Sequence, residues 1–398
     1  MSANPIQRSV EDATRPVVRI SLRLDWLLLG AVAGLVALSL VVIDGATRGD
    51  VAGSPHYYTV RQAGACAVGL LLMLLVSRVD YSRLREWKYG VYAAMLAPIL
   101  LVLVLGGLTR GSKRWITLPF FQYQPSEIGK LLLVLALSAF VVDRSRRLGE
   151  RETTTRTLLL ALVPAMLVFI QPDLGSGMVY LVIALAVLYV AGTSWRHFLG
   201  LFVLGAVALT LVLTLAPAAG VTVVKQYQID RLTAFLHPSQ NPASQGYQQE
   251  QSQIAIGSGQ RTGRGETNDT QTRLNFLPES HTDFIFAVVG ERFGFVGAAL
   301  VLSLYALMIW RGLRILTLAK NLYGTLVAGG IVAMLLFQVV VNAGMSVGVM
   351  PITGVPLPLM SYGPSSVLTT FLAAGILQSI YVQGRAAAAN KGRISVLG

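Results

Sequence analysis

Apolar residues gather into ten runs, near 26–43, 62–77, 89–107, 126–142, 157–170, 177–192, 198–216, 284–309, 322–342 and 364–383. The runs approach the length of about 20 residues that a spanning helix needs, so helices are predicted rather than strands. The expected fold class is an all-α integral membrane protein with about ten transmembrane helices. An even number of crossings puts both termini on one side. Residues 1–25 and 384–398 are predicted tails, 26–383 a ten-span membrane domain, and 217–282 one long polar loop on the outer side. That loop holds ten glutamines and the run Gly257-Ser-Gly-Gln-Arg-Thr-Gly-Arg-Gly265. No strand precedes the run and no Gly-Lys-Ser/Thr ending follows it, so it is not a phosphate-binding P-loop. Residues 244–256 predict an amphipathic helix lying on the membrane surface through Tyr247, Ile254 and Ile256, with a flexible linker as the alternative.

Composition agrees with this threading. Of 398 residues, 54% are hydrophobic and 13% charged, and mean hydropathy is +0.62, too apolar for a soluble globular protein. The net charge of +13 is explained by where the cations lie. The predicted inner segments carry 20 Lys and Arg against 5 in the two short outer loops, as the positive-inside rule requires. Nucleic acid is therefore not an expected partner, and both termini are expected in the cytoplasm. Arginines 8, 15, 19 and 23 precede the first run with no small-residue cleavage site after it, the pattern of a start-transfer anchor. One cysteine, Cys66, gives no disulfide framework, and histidines 56, 197, 237 and 281 have no zinc-site spacing.

Polar residues at span ends are the candidates for chemistry, because they are costly there. The stretch 276–297 takes the chain from the long loop into the eighth run. Ser280 followed by Asp283 reads as a capping box, with the acid in the first helical turn. The same acid, beside Glu279, His281, Thr282 and Glu291, is also placed as a proton acceptor for a lipid-borne substrate. Glu127 and Lys130 share one helix face as an ion pair or as a binder of anionic headgroups. Before them, Lys113, Arg114 and Trp115 form either an anion-binding loop or an interfacial belt. Gln171 and Asp173 flank a short turn in which Asp173 caps the next helix. Residues 342–366 contain prolines and glycines that deny them a regular helix, which predicts a cavity wall. No Asp-x-Asp, Gly-x-Ser-x-Gly or His-Glu-x-x-His motif occurs, so a nucleotide-linked donor is not expected.

Several stretches together resemble the SEDS family of cell-wall glycosyltransferases, and its RodA branch more than its FtsW branch. They are Lys113-Arg-Trp-Ile116, Gln124-Pro-Ser-Glu127 with Lys130, Gln171-Pro-Asp-Leu-Gly175, Pro278-Glu-Ser-His-Thr-Asp-Phe-Ile-Phe286, Pro351-Ile-Thr-Gly-Val-Pro-Leu-Pro358 and Ser361-Tyr-Gly363. They span most of the chain in the family's order. The resemblance implies a polymerase in the bacterial plasma membrane that joins lipid II units on the outer side, extends a nascent glycan strand and releases undecaprenyl diphosphate. It implies a class B penicillin-binding protein as partner within the rod-shape elongation complex. It also implies Asp283 as the catalytic residue, with Trp115, Glu127 and Lys130 at functional positions and Ser361 and Tyr362 in the substrate region. Arg292 stands where the family often has a second acid, and Pro364 where it usually has glycine.

The expected reaction is a single inverting displacement in which Asp283 takes the proton from an attacking sugar hydroxyl while Lys113, Arg114 and Lys130 stabilise the departing diphosphate. A divalent cation, Mg2+ or Mn2+, is a candidate to share that task, and the residues leave its identity open. A lipid II flippase or a non-catalytic scaffold would need the same spans and cations, since fold alone does not decide function.

Overall fold

A computed structural model describes residues 24–49, 51, 53–105, 114–117, 122–148, 150–218, 235, 245–266, 269–274 and 276–396. Among them, every predicted apolar run lies in a helix. The long helices are α1 (Trp26–Thr47), α2 (Tyr57–Ser77), α3 (Lys88–Leu105), α4 (Pro125–Asp143), α5 (Arg151–Ile170), α6 (Leu174–Val190), α7 (Trp195–Ala218), α8 (Gln245–Gly259), α9 (Ile285–Leu318), α10 (Leu322–Ser346) and α11 (Pro364–Val396). All but α8 come from the apolar runs. Seven are long and apolar enough to cross a bilayer, and α3, α6 and α7 contribute shorter apolar segments. A two-stranded ribbon, β1 (Ile116–Thr117) with β2 (Gln122–Tyr123), pairs Ile116 opposite Tyr123.

Local chemistry sets four of the helix starts. Asp25, Asp173 and Asn321 accept the amides of Leu28, Ser176 and Gly324 at the heads of α1, α6 and α10, each satisfying one orphan donor. Pro125 opens α4, where no amide is needed. The centre of the bundle is α4, α10 and α11, whose spans are 78%, 72% and 89% buried, against 22% for α2 and for α9. Around them α2 packs along α11, α3 along α4, α6 along α5 and α10, and α9 between α10 and α1.

The end opposite the long loop is tied by charge. Arg311 of α9 holds Asp25, while Gln378 of α11 exchanges two hydrogen bonds with the Asp25 backbone at 2.8 and 3.0 Å. Asp143 takes both Arg85 and Lys88. In the connection after α2, burial works against ionisation of Asp80, yet the Ser82 amide and the Lys320 ammonium hold its carboxyl below the usual carboxylate range.

Three features extend the pattern of apolar runs. The last helix does not stop at 383 but runs on to Val396, because Ala386 to Ala389 favour helix and no proline ends it. The helix predicted in the long loop exists. Its buried face is Gln249, Ser252 and Ala255, while Ile254 is exposed, and α8 packs on α9. Small residues allow that approach: a side chain at Gly290 would meet Ile256 at 2.9 Å. Finally, α9 is not continuous, since Gly294 has φ 61° and ψ −158°.

The break in α9 is filled by the long loop. Arg264 and Gly265 donate their amides to the Glu291 and Arg292 carbonyls at 2.9 and 3.1 Å, and Phe295 and Val296 donate to the Gln260 and Arg261 carbonyls at 2.9 and 3.1 Å. Backbone groups freed in an apolar setting must be paired within the protein, and this turn pairs them. Gly294 occupies a backbone region that is essentially glycine-only, and a side chain there would also meet the Arg261 carbonyl at 2.7 Å. Gly294→Ala is therefore expected to cost at least about 1–3 kcal/mol, seen as a lower midpoint of thermal unfolding in detergent. An unchanged midpoint would show that the break relaxes without cost.

Candidate functional site

Between the long loop and α9, residues 277–284 form a turn closed on itself. The Glu279 carbonyl accepts the amides of Thr282 and Phe284 at 3.2 and 3.3 Å, and the Glu279 carboxylate accepts the Thr282 hydroxyl at 2.9 Å. Glu279 has φ 55°, a left-handed conformation that costs a non-glycine residue on the order of 1–2 kcal/mol. Helix α9 begins only at Ile285, and Phe284, its N-cap residue, makes no side-chain cap. The expected capping box is therefore absent: Ser280 is not the cap, and Asp283 lies in the turn rather than in the first helical turn. The reversal at Glu279 ends the helix geometry that box needs.

The turn is held by the 347–363 connection. Three successive carbonyls, of His281, Thr282 and Asp283, accept from the Tyr362 amide at 2.8 Å, the Ser361 hydroxyl at 2.6 Å and the Asn342 side-chain amide at 2.9 Å. Asn342 spends its second hydrogen on the Val355 carbonyl at 2.8 Å. Gly354, at φ 73°, passes beside the catalytic candidate: a Cβ there would lie 3.6 Å from Asp283 Oδ2. Half-buried Asp283 thus stands against a backbone wall rather than at a helix end.

Two more helix heads join the same end. Gly175, in the first turn of α6, is so close to the 353–355 backbone that a side chain would meet the Thr353 carbonyl at 2.7 Å. Asp173 caps α6 with one oxygen, and with the other accepts Gln124 and Ser126 at the head of α4, at 3.0 and 3.3 Å. The amide of Gln124 donates to Ser365 in the first turn of α11 at 3.0 Å. The N-terminal ends of α4, α6, α9 and α11 therefore converge, and each brings partial positive charge.

The candidate side chains fare differently. Glu127 and Lys130 form a pair at 2.6 Å, 3% and 1% exposed. Arg114 donates to the carbonyls of Gln171, at 3.0 Å, and Pro172, while Trp115 beside it is partly exposed. Gln171 is buried and its amide bonds the Ile99 carbonyl at 2.8 Å. Ser361 and Tyr362 brace the Asp283 turn, as above. Lys113 lies outside the described residues. Glu291 is a correction: it is fully buried, with both oxygens on the backbone amides of Gln271 and Thr272 at 2.8 and 3.0 Å, so it clamps the loop instead of facing substrate. Its neighbour Arg292 pairs with buried Asp269 at 2.6 Å. Among the described residues no three His, Cys, Asp or Glu side chains converge as a metal-binding group. A Mg2+ or Mn2+ ion at this end would draw most of its ligands from a bound anion and water.

Asn342 and Gln62 were not singled out from the sequence. Each is fully buried in an apolar helix, and that cost was the available signal. Gln62 Nε2 donates to the Ser361 carbonyl at 3.2 Å, which fixes α2 to the same connection.

Residues 21–386 match the sequence profile of the FtsW/RodA/SpoVE family, described as cell cycle protein. The peptidoglycan glycosyltransferase MrdB of Escherichia coli K12 is 36% identical over 347 residues, covering 87% of this chain and 92% of that one. A probable peptidoglycan glycosyltransferase FtsW from Thioalkalivibrio sulfidiphilus is 36% identical over 394 residues, covering 96% and 95%. Among solved structures, the rod shape determining protein RodA of Thermus thermophilus superposes with a TM-score of 0.65 at 31% identity, covering 91% and 97%. A chain of a peptidoglycan synthase complex, described as coordinating polymerization and crosslinking, gives 0.76 at 34% identity, covering 91% and 98%.

Substitutions at two places test this geometry. Asn342→Ala leaves two carbonyls without donors at about 1–3 kcal/mol each, so a lower unfolding midpoint and reduced activity are expected in protein that still inserts. Lys130→Ala strands a buried carboxylate at about 3–5 kcal/mol, whereas replacing both partners, Glu127→Gln with Lys130→Met, costs less. Thermal unfolding of the three proteins gives the ranking, and equal losses for the single and the double change would refute the buried-charge account.

Proposed function

The chain belongs to the FtsW/RodA/SpoVE family, and we propose that it polymerises lipid II with Asp283 as general base. It is a multi-pass membrane protein and a peptidoglycan glycosyltransferase, as its relatives MrdB and FtsW are named. The observation that carries the assignment of Asp283 is its position. Its carboxylate is partly exposed beside Gly354, on a turn whose backbone is fixed at three successive carbonyls, where four helix N-termini meet. A base must be held within hydrogen-bond reach of the proton it removes.

In the proposed step Asp283 accepts the proton of the GlcNAc 4-hydroxyl of an incoming lipid II. That oxygen attacks the anomeric carbon of the lipid-linked strand, the bond to the diphosphate breaks, and undecaprenyl diphosphate leaves with the bonding electrons. The new β-1,4 linkage forms with inversion. Negative charge then grows on the leaving group. The converging helix N-termini favour it, together with the remaining N–H groups of Arg114, while Lys130, 1% exposed, is spent on its pair with Glu127. Preorganised charge of this kind is usually the larger catalytic contribution.

In this reading the end of the bundle that carries Asp283 faces the outer side of the membrane, and both termini lie in the cytoplasm. Arg85, Lys88, Arg311 and Lys320 cluster at the other end, as the positive-inside rule requires. A crosslinking transpeptidase, a class B penicillin-binding protein, is the proposed partner within the elongation complex, supported by the likeness to the synthase complex.

Purified protein incubated with lipid II in detergent should give glycan strands resolvable by gel electrophoresis. Asp283→Asn should lower the rate at least about 10²-fold with an unchanged unfolding midpoint. Strands of normal length and rate from that variant would sink the role of Asp283. Wild-type protein that leaves lipid II unpolymerised would instead point to transport.

A further inference from the structure

Beside Asp283 stands an aromatic wall built by three separate elements. Tyr58 comes from the first turn of α2, His281 from the 277–284 turn and Tyr362 from the 347–363 connection. Ring centroids lie 4.8 Å apart for Tyr58 and His281, 5.0 Å for Tyr58 and Tyr362, and 5.8 Å for His281 and Tyr362. Tyr57 meets Tyr58 edge-on at 5.2 Å. Exposed Arg61 lies 4.6 Å over the Tyr57 ring. Gln62, one turn beyond Tyr58 and on the same helix face, locks this register through the Ser361 carbonyl.

The wall differs from the tyrosines buried within the bundle. Tyr81, Tyr180, Tyr305 and Tyr323 are almost completely buried, and the hydroxyls of the last three are spent on the carbonyls of Ser126, Pro358 and Leu135. Tyr58, His281 and Tyr362 are packed on one another and yet stay partly exposed. Interfacial belt residues behave differently again: Trp26, Trp87 and Tyr89 are each more than 70% exposed, as lone rings meeting a bilayer would be. A half-open aromatic cluster with a few polar tips, two residues from a candidate base, has the composition of a ligand-binding wall. The ligand class follows from shape. One face of a pyranose is a sheet of C–H bonds that covers an aromatic ring, while its hydroxyls stay at the edge, free to reach a carboxylate.

We propose that Tyr58, His281 and Tyr362, oriented by Gln62, form a platform on which the acceptor saccharide stacks so that its hydroxyl faces Asp283. The platform rests on the glycosyltransferase reading and adds a substrate-binding role for α2. It reads sugar, not the lipid diphosphate.

Initial polymerisation rates of the full-length protein in detergent, measured over a range of lipid II concentrations, test this. Tyr58→Leu should raise KM about tenfold, the scale of one lost aromatic contact, with kcat within about twofold of wild type. Inhibition by sugar-free undecaprenyl diphosphate should not change, and Tyr58→Phe, which keeps the ring, should match wild type. Should Tyr58→Leu unfold, Tyr58→Met is read in the same way. A fall in kcat at constant KM would reduce the rings to a brace for the Asp283 turn, and equal weakening toward lipid II and undecaprenyl diphosphate would assign them to the diphosphate. Either result, or wild-type kinetics in Tyr58→Leu, overturns the platform while leaving the glycosyltransferase intact. Wild-type protein without polymerase activity overturns both.

Discussion

Three consecutive carbonyls, those of His281, Thr282 and Asp283, cannot join a helix, and each is taken by a donor from the 342–362 region. In an apolar bundle such groups have no water to turn to, so irregular backbone survives only where protein supplies partners. That constraint shapes the whole functional end. The connection that supplies the donors is itself irregular, and its carbonyls at Pro358, Met360 and Ser361 are taken by Tyr305, Ser39 and Gln62. Five helices, α1, α2, α9, α10 and α11, thereby lock onto one another through the very segments that are not helical.

The consequence for chemistry is rigidity where it is needed. The Asp283 backbone is fixed on both sides of the residue, and the Gly354 backbone passes beside its carboxylate. The strained φ of Glu279 persists because these bonds determine the turn from outside. In the proposed step, a carboxylate held in this way needs little reorganisation when charge develops.

The same rule explains the long loop. Its 260–265 turn inserts into the break of α9 at Gly294, and Glu291, Arg292 and Asp269 secure it with buried hydrogen bonds and an ion pair. Arg292 also bonds the Gly45 carbonyl of α1 at 2.7 Å. The outer piece of α9, which carries Asp283 at its head, is thus coupled to the loop and to α1 rather than extending rigidly from the inner piece.

The sequence by itself determined the class of protein, the ten helical runs, the basic connections and the stretch containing Asp283. These depend on local hydropathy, charge and residue type, which a single chain displays directly. The capping of α6 by Asp173 and the Glu127–Lys130 pair were legible for the same reason, since both partners lie within one helical turn. Tertiary structure alone decided that Asp283 leaves its helix, that Glu291 clamps a loop, that α8 docks through Gln249, Ser252 and Ala255, and that Asn342 and Gln62 hydrogen-bond the irregular backbone around Asp283. Each of these turns on groups tens to hundreds of residues apart, as in Gln62 with Ser361, and on which buried donor reaches which freed carbonyl. Hydrophobic patterning records that a polar residue is costly inside an apolar helix, but not the distant partner that offsets the cost.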